Sequence, residues 1–261
     1  LPGSPAPGET GALHFHYQYG HRGAWRSRDP AGEMGERSGT VEFSGYARSK
    51  WTAEGATRLA NGRGIPTASY RPAYISGHSE TGVAANDDAL WHYVRACIEL
   101  GARPLMDRRL QANLVPVDFV AGAFVRLALT QRPEDAVHSL AAPSAVDMDT
   151  VLDHACVGGY RMEPLPCREW ERRLEDAARE EPLPEETSLH AVALLNSAME
   201  IAAGRYPREL DRRNMLRGLA NAAVASPPTS TELRHRYFAY FMESGFLPAA
   251  DGRAASDGLT V

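Results

Sequence analysis

Apolar positions along the chain change period several times, and each change marks an element. Leu13 to Tyr17 is a short apolar and aromatic run with strand character. The Gly/Arg-rich stretch from Gln18 to Thr40 is aperiodic and reads as loop. From Tyr46 to about Asn61 the apolar positions Trp51, Ala53, Ala56, Leu59 and Ala60 fit a helix. Asn61-Gly62-Arg63-Gly64 stops it, because glycine accepts the left-handed backbone that ends helices. Ile65 to Tyr70 then reads as a strand closed by Arg71-Pro72. Helix, glycine stop and strand in that order predict an α/β unit with a parallel sheet.

Further along, Asp87-Asp88 can cap a helix reaching about Leu100, with Leu90, Trp91, Val94, Cys97 and Ile98 forming its apolar stripe. Asn113 to Val117 is extended, and Asp118 stands where a cap would open the helix Phe119–Leu129. Ala136 to Ala141 is a strand, and Asp147 a cap for Met148–Cys156, which Gly158-Gly159 ends. Helical patterns over Arg168–Arg179, Ser188–Ala203 and Glu232–Ser244 follow, with a Glu-rich loop around Pro182 and Pro184. The expected organisation is an α/β half, residues 1–142, followed by a mostly helical half, residues 143–261.

Composition narrows the classes. At 261 residues and 43 % hydrophobic content the chain holds one large domain or two small ones. A net charge of −5 gives no basic footprint, so nucleic acid is not an expected partner. The pairs Arg172-Arg173 and Arg212-Arg213 are diluted by Glu171, Glu175 and Asp211. No apolar run approaches the ~18–20 residues that span a bilayer. Leu1 to Thr10 lacks the apolar core of a signal peptide. Cys97, Cys156 and Cys167 form no CxxC and suit a reducing compartment, so a cytoplasmic protein is expected. No metal site is expected: His14, His16 and His21 cluster, but without a recognised ligand spacing around them.

The candidate chemistry lies in Gly45-Tyr46-Ala47-Arg48-Ser49-Lys50-Trp51-Thr52-Ala53-Glu54. Residues four apart share a helix face, so Tyr46 and Lys50 act on one small volume. An ammonium beside a phenol stabilises the phenolate and lowers its pKa, making Tyr46 a proton donor or acceptor near neutrality. By itself the spacing is a weak signal, and a half-buried tyrosine beside a solvated lysine fits it better.

The wider context favours the chemistry. The Tyr46–Lys50 run is followed by Gly64-Ile65-Pro66, by Tyr70-Arg71-Pro72-Ala73-Tyr74-Ile75-Ser76-Gly77 and by Ser79-Glu80-Thr81-Gly82. Asn86-Asp87-Asp88, Leu100-Gly101-Ala102-Arg103-Pro104 and Val115-Pro116-Val117-Asp118-Phe119-Val120 come next, and the set closes on Tyr240-Phe241-Met242-Glu243-Ser244-Gly245-Phe246-Leu247-Pro248. In these blocks and their order, from Tyr46 to Pro248, the chain resembles the thioester reductase branch of the extended short-chain dehydrogenases/reductases. Such domains end non-ribosomal peptide and polyketide synthetases and form the reductase end of carboxylic acid reductases.

The resemblance implies an α/β fold: the C-terminal part of a Rossmann-like extended reductase fold, residues 1–142, then a mostly helical substrate and carrier-docking domain, residues 143–261. It implies NADPH as cofactor and an acyl or peptidyl carrier protein, bearing a phosphopantetheine thioester, as partner. By the same resemblance Tyr46 protonates the carbonyl oxygen, while Lys50 lowers its pKa and binds the nicotinamide ribose. Pro72, Ala73, Tyr74 and Ile75 line the nicotinamide pocket with backbone groups, at the carboxyl end of a strand where ligands of open α/β sheets lie. Asp118 is read as a helix cap. Ser79 and Thr81 are candidate substrate contacts and equally polar residues of a solvated loop.

Two departures stand out. No Gly-x-x-Gly-x-x-Gly joins a strand to a helix, and Gly20-His21-Arg22-Gly23 supplies only two glycines in a loop. The family's nucleotide-binding first strands are therefore expected to be missing, as in an N-terminally truncated domain. The family also places a Ser-Thr near the end of its fifth strand, where this chain has Leu13-His14-Phe15-His16-Tyr17-Gln18-Tyr19-Gly20-His21. Ser38, Thr40 and Ser44 lie nearer Tyr46, without a reason to align with it. With plausible codons, reading His16–His21 one base later restores a Thr/Ser-rich run ending in Val. An out-of-frame segment from 16 to about 40 is thus expected, which the gene's nucleotide sequence tests. The competing functions are an inactive remnant or helical interaction module, and a different extended reductase such as a sugar-nucleotide epimerase. The Leu-Gly-x-x-Pro block and the Ser-Gly-Phe-Leu-Pro ending argue against the epimerase.

Overall fold

The computed structural model describes residues 13–15, 45–105, 111–130, 137–179, 210–222, 224 and 230–250. The expected loop 18–40, the residues Ser38, Thr40 and Ser44, the loop around Pro182 and the helix Ser188–Ala203 lie outside them, as do the side chains of Tyr46 and Trp51.

A three-stranded parallel sheet forms first: β1 (Leu13–Phe15) and a later strand flank β2 (Ala68–Pro72) on either side. Between β1 and β2 runs α1 (Gly45–Gly62), packed on both. Its end is a two-bond glycine cap: Ile65 N donates to Ala60 O (3.1 Å), and Gly64 N donates to Asn61 O (2.9 Å). Gly64 adopts φ +86°, the left-handed backbone such a cap requires. This cap consumes Ile65, so the strand starts at Ala68 and not at Ile65 as its apolar pattern suggested. All five residues of β2 are buried, as befits a strand paired on both sides.

Past β2 the chain makes β3 (Tyr74–Ser76), α2 (Ala89–Glu99), β4 (Ala102–Leu105), β5 (Gln111–Ala112), β6 (Leu114–Pro116) and α3 (Val117–Thr130). It continues with β7 (Val137–Leu140), β8 (Val146–Asp147), α4 (Met148–Val157), β9 (Glu163–Pro166) and α5 (Cys167–Arg179). Two further described helices are α6 (Arg213–Leu219) and α7 (Thr231–Glu243). β7 completes the first sheet, while β3 pairs with β6 and β4 with β9 in parallel, and β5 with β8 antiparallel.

Side-chain caps start α2 and α7. Asp88 caps α2 by accepting from Leu90 N (2.9 Å), and Ser230 caps α7 by accepting from Leu233 N (3.1 Å). Asp147 occupies the cap position of α4 but accepts from Gln111 Nε2 instead (2.8 Å), tying β8 to β5.

Two cores result, and they interleave along the chain. The first joins Tyr70, Val115, Phe119, Leu127 and Leu140 to Met215 of α6. The second gathers α2, β4, α4, α5 and α7 around Trp91, Trp170, Tyr237 and Phe241. Trp91 meets the rings of Tyr237, Phe238 and Phe241 with centroids 4.5–5.9 Å apart, contacts worth about 0.5–1.5 kcal/mol each beyond area burial. Thus α2 and β4, from before residue 142, serve the second core, and α6, from after it, closes the first.

Candidate active site

In a parallel sheet the helix that follows a strand begins at the strands' carboxyl edge, so the first turns of α1 lie where ligands of such folds bind. Tyr46 is the second residue of α1, and Lys50 and Glu54 follow on the same face at one-turn intervals. Lys50 is half-buried and Glu54 almost fully buried. Glu54 is the anchor of this helix face. Its carboxylate accepts from Arg71 Nε (3.2 Å) and Arg71 Nη2, and from Arg58 Nη2 (2.6 Å). Burial, the largest influence, pushes the Glu54 pKa up, but the Arg71 and Arg58 guanidiniums hold it below the ordinary value.

Arg71 belongs to β2, and the expected pocket segment Pro72–Ile75 follows it directly. Pro72, Ala73 and Tyr74 are buried, and Ile75 is partly so. Pro72 has no N–H, while Ala73 N donates to Leu140 O and Tyr74 N to Asn113 O (2.9 Å each). The Tyr74 phenol accepts from Leu90 N (2.9 Å) at the start of α2. Backbone donors of Ala73 and Tyr74 are therefore spent inside the fold.

The loop after β3 is held by side chains of two helices. Asp118 lies in the first turn of α3, and α3 already begins at Val117, so it does not cap the helix as the sequence suggested. Its carboxylate instead accepts from Ser79 N (2.8 Å) and Ser79 Oγ (2.6 Å). Burial raises its pKa, and the Ser79 hydrogen bonds outweigh that and lower it. From α7, Arg236 Nη1 donates to Ser79 O (2.7 Å), and Tyr237 Oη donates to Gly77 O (2.9 Å) beside Ser76 Oγ (2.9 Å). Of the two candidate substrate contacts, Ser79 thus has its hydroxyl proton on Asp118, and Thr81 is exposed.

The first strands' glycine turn would hold a dinucleotide's pyrophosphate. Among the described residues, Gly77 and Gly82 are the glycines that link a strand to a helix. A Cβ on Gly77 would meet Tyr237 Cε1 at 2.8 Å and Ala84 Cβ at 2.9 Å, and one on Gly82 would meet the Arg236 carbonyl. Both spaces are filled by the chain itself, so this turn is no phosphate cradle. Among the described residues, no glycine turn between a strand and a helix leaves room for a pyrophosphate. Among the described residues no group of His, Cys, Asp and Glu could hold a metal, and no helix is long and apolar enough to cross a membrane.

Glu54, Arg236, Tyr237 and Asn113 were given no role from sequence. Glu54 alone carried a usable signal, its position one turn beyond Lys50 on the same face.

Fold and site define a Rossmann-like α/β domain of the extended reductase class. The profile of an NAD-binding family described as male sterility protein matches residues 16–124. A linear gramicidin synthase of Brevibacillus parabrevis is 30 % identical over 82 % of this chain and 4 % of that protein. Isonitrile lipopeptide synthase of Streptomyces coeruleorubidus is 30 % identical over 80 % of this chain and 14 % of its own length. Among solved structures, the terminal R domain of the myxalamid PKS-NRPS biosynthetic pathway superposes with a TM-score of 0.68 at 30 % identity, over 80 % of this chain and 52 % of that one. These likenesses support the thioester reductase domain expected from the sequence. It spans about half the length of the solved domain and a small part of the curated synthases.

Proposed function

We propose that the chain takes part in NADPH-dependent reductive release of an acyl or peptidyl thioester from a carrier protein, giving an aldehyde. The observation that carries this reading is the Tyr46-x-x-x-Lys50 face of α1, anchored through Glu54 to the strand that leads into Pro72–Ile75. The likeness to terminal reductase domains supports it. The nicotinamide, when bound, supplies a hydride to the thioester carbonyl carbon. Tyr46 gives its proton to the carbonyl oxygen, and Lys50 lowers the phenol pKa and holds the ribose. Collapse of the hemithioacetal breaks the C–S bond, and the carrier's thiol leaves with a proton. Pro72, Ala73, Tyr74 and Ile75 form the wall against the nicotinamide. In this reading the chain divides near residue 142 into a cofactor side and a substrate and carrier-docking side, with α2 and β4 lent to the latter.

The test is NADPH oxidation at 340 nm on adding an acyl thioester carried on phosphopantetheine, with trapping of the aldehyde. Turnover is expected, and Tyr46→Phe should lower it about 100- to 10,000-fold, the range of a lost general acid. A second reading, a non-catalytic module of the same family, is favoured by the filled glycine turn at Gly77 and Gly82. No thermal shift and no turnover at millimolar NADPH would select it.

A further inference from the structure

Tyr46 and Lys50 require a helix held at one level against the strand beside it, and the fold builds that level from two ties. The lower tie lies at the start of β2: Asn61 Nδ2 donates to Thr67 O (3.0 Å), and Thr67 Oγ1 donates to Thr57 O (3.0 Å). The upper tie is the Glu54–Arg71 pair. From Asn61 back to Glu54 the helix climbs about 10 Å at ~1.5 Å per residue. From Thr67 to Arg71 the chain climbs about 13 Å at ~3.3 Å per residue. The two elements run in opposite directions with nearly matched spans, so the ties lock both level and tilt. Continuing the helix from Glu54 to Lys50 adds about 6 Å, or roughly two residues of extended chain, which brings Lys50 level with Ala73.

We propose that Glu54 is a positioning residue: paired with Arg71, it sets the turn of α1 that carries Lys50 against Pro72–Ile75 and so places the Tyr46–Lys50 pair. This rests on the acid/base reading of that pair. The nature of the upper tie fits the role. Arg71 approaches side-on, with Nε on one carboxylate oxygen and Nη2 on the other, a fork that fixes orientation as well as distance. Glu54 is 1 % exposed and Arg71 8 %. An apolar pair of similar volume would stabilise such a site as well or better, and setting register is the best-attested use of a buried ionic group.

Ultraviolet difference titration of phenolate at 295 nm tests it without turnover. The chain has ten tyrosines, so subtracting the Tyr46→Phe titration from the parent's isolates Tyr46. The same subtraction is made in Glu54→Gln and Arg71→Lys backgrounds, over the pH range in which circular dichroism stays constant. Arg71→Lys keeps the charge and removes the fork, and it serves should Glu54→Gln not fold. The expected result is a Tyr46 pKa that rises by about one unit in both variants, as the phenol loses its ammonium neighbour. Deleting a nearby negative charge without moving Lys50 would lower it instead, so a fall in Glu54→Gln, or no change in either folded variant, overturns the proposal. A parent Tyr46 already titrating at the ordinary phenol value of about 10 overturns the acid/base reading itself.

Discussion

At the scale of residues, two carboxylates hold the neighbourhood of the site, and both titrate below their ordinary values. Glu54 is raised by burial and lowered by Arg71 and Arg58, with a net fall. A carboxyl with a lower pKa folded than unfolded stabilises the fold above its unfolded value, and that contribution disappears as pH falls through the folded value. Thermal midpoints of the parent should therefore drop as pH falls below about 4.5, the ordinary value for Glu54. Glu54→Gln, which does not titrate, should lose that component of the drop while starting from a lower midpoint at neutral pH. Equal slopes for the two proteins would refute the assignment. Asp118 acts on the loop. Replacing it with Asn removes the charge from two hydrogen bonds to Ser79, at a cost of about 1 kcal/mol for a partly solvated group. Hydrogen exchange at the Ser79 amide should quicken, with the β2 amides unaffected.

At the scale of elements, the loop from Gly77 to Gly82 and helix α7 form one unit. Gly82 has φ +74°, and a Cβ there would run into the Arg236 carbonyl of α7, which is backbone and does not yield. Gly82→Ala should cost about 2–4 kcal/mol, the sum of a left-handed alanine and an overpacked contact. Chemical denaturation should show a lower midpoint with unchanged slope. Elements with a chemical stop or start were legible in sequence: α1 ended at its glycines, α2 began at Asp88, and α5 and α7 matched their apolar period. Of the short strands, β1, β6 and β7 were legible too, and β3, β4, β5, β8 and β9 were not. Glu163-Pro164-Leu165-Pro166 carries no strand signal because proline cannot donate to a ladder, yet β9 pairs with β4 at a sheet edge, where proline is tolerated. The Tyr46–Lys50 spacing is local and was visible. The Glu54–Arg71 and Ser76–Tyr237 pairs join residues that only the tertiary fold brings together, so no periodicity announces them.

At the scale of the whole molecule, the question is how two interleaved cores act as one body. Asn113 sits at their junction, between β5 and β6. Its side chain closes a two-bond clamp on Ala142, donating from Nδ2 to Ala142 O (3.1 Å) and accepting from Ala142 N at Oδ1 (2.8 Å). Its own carbonyl accepts from Tyr74 N (2.9 Å). Ala142 belongs to the first core and Tyr74 to the second, and the flanking residues divide likewise, with Leu114 in the second and Val115 in the first. One asparagine thus holds both Tyr74, within the Pro72–Ile75 segment, and the segment leaving β7. Asn113→Ala should cost about 2–3 kcal/mol, because it leaves the Ala142 backbone groups without their partner. Amide exchange should quicken at both Ala142 and Tyr74, although the substitution touches only the first of them through its side chain. Exchange confined to Ala142 would mean that the cores are joined elsewhere, and that the Pro72–Ile75 segment does not depend on this clamp.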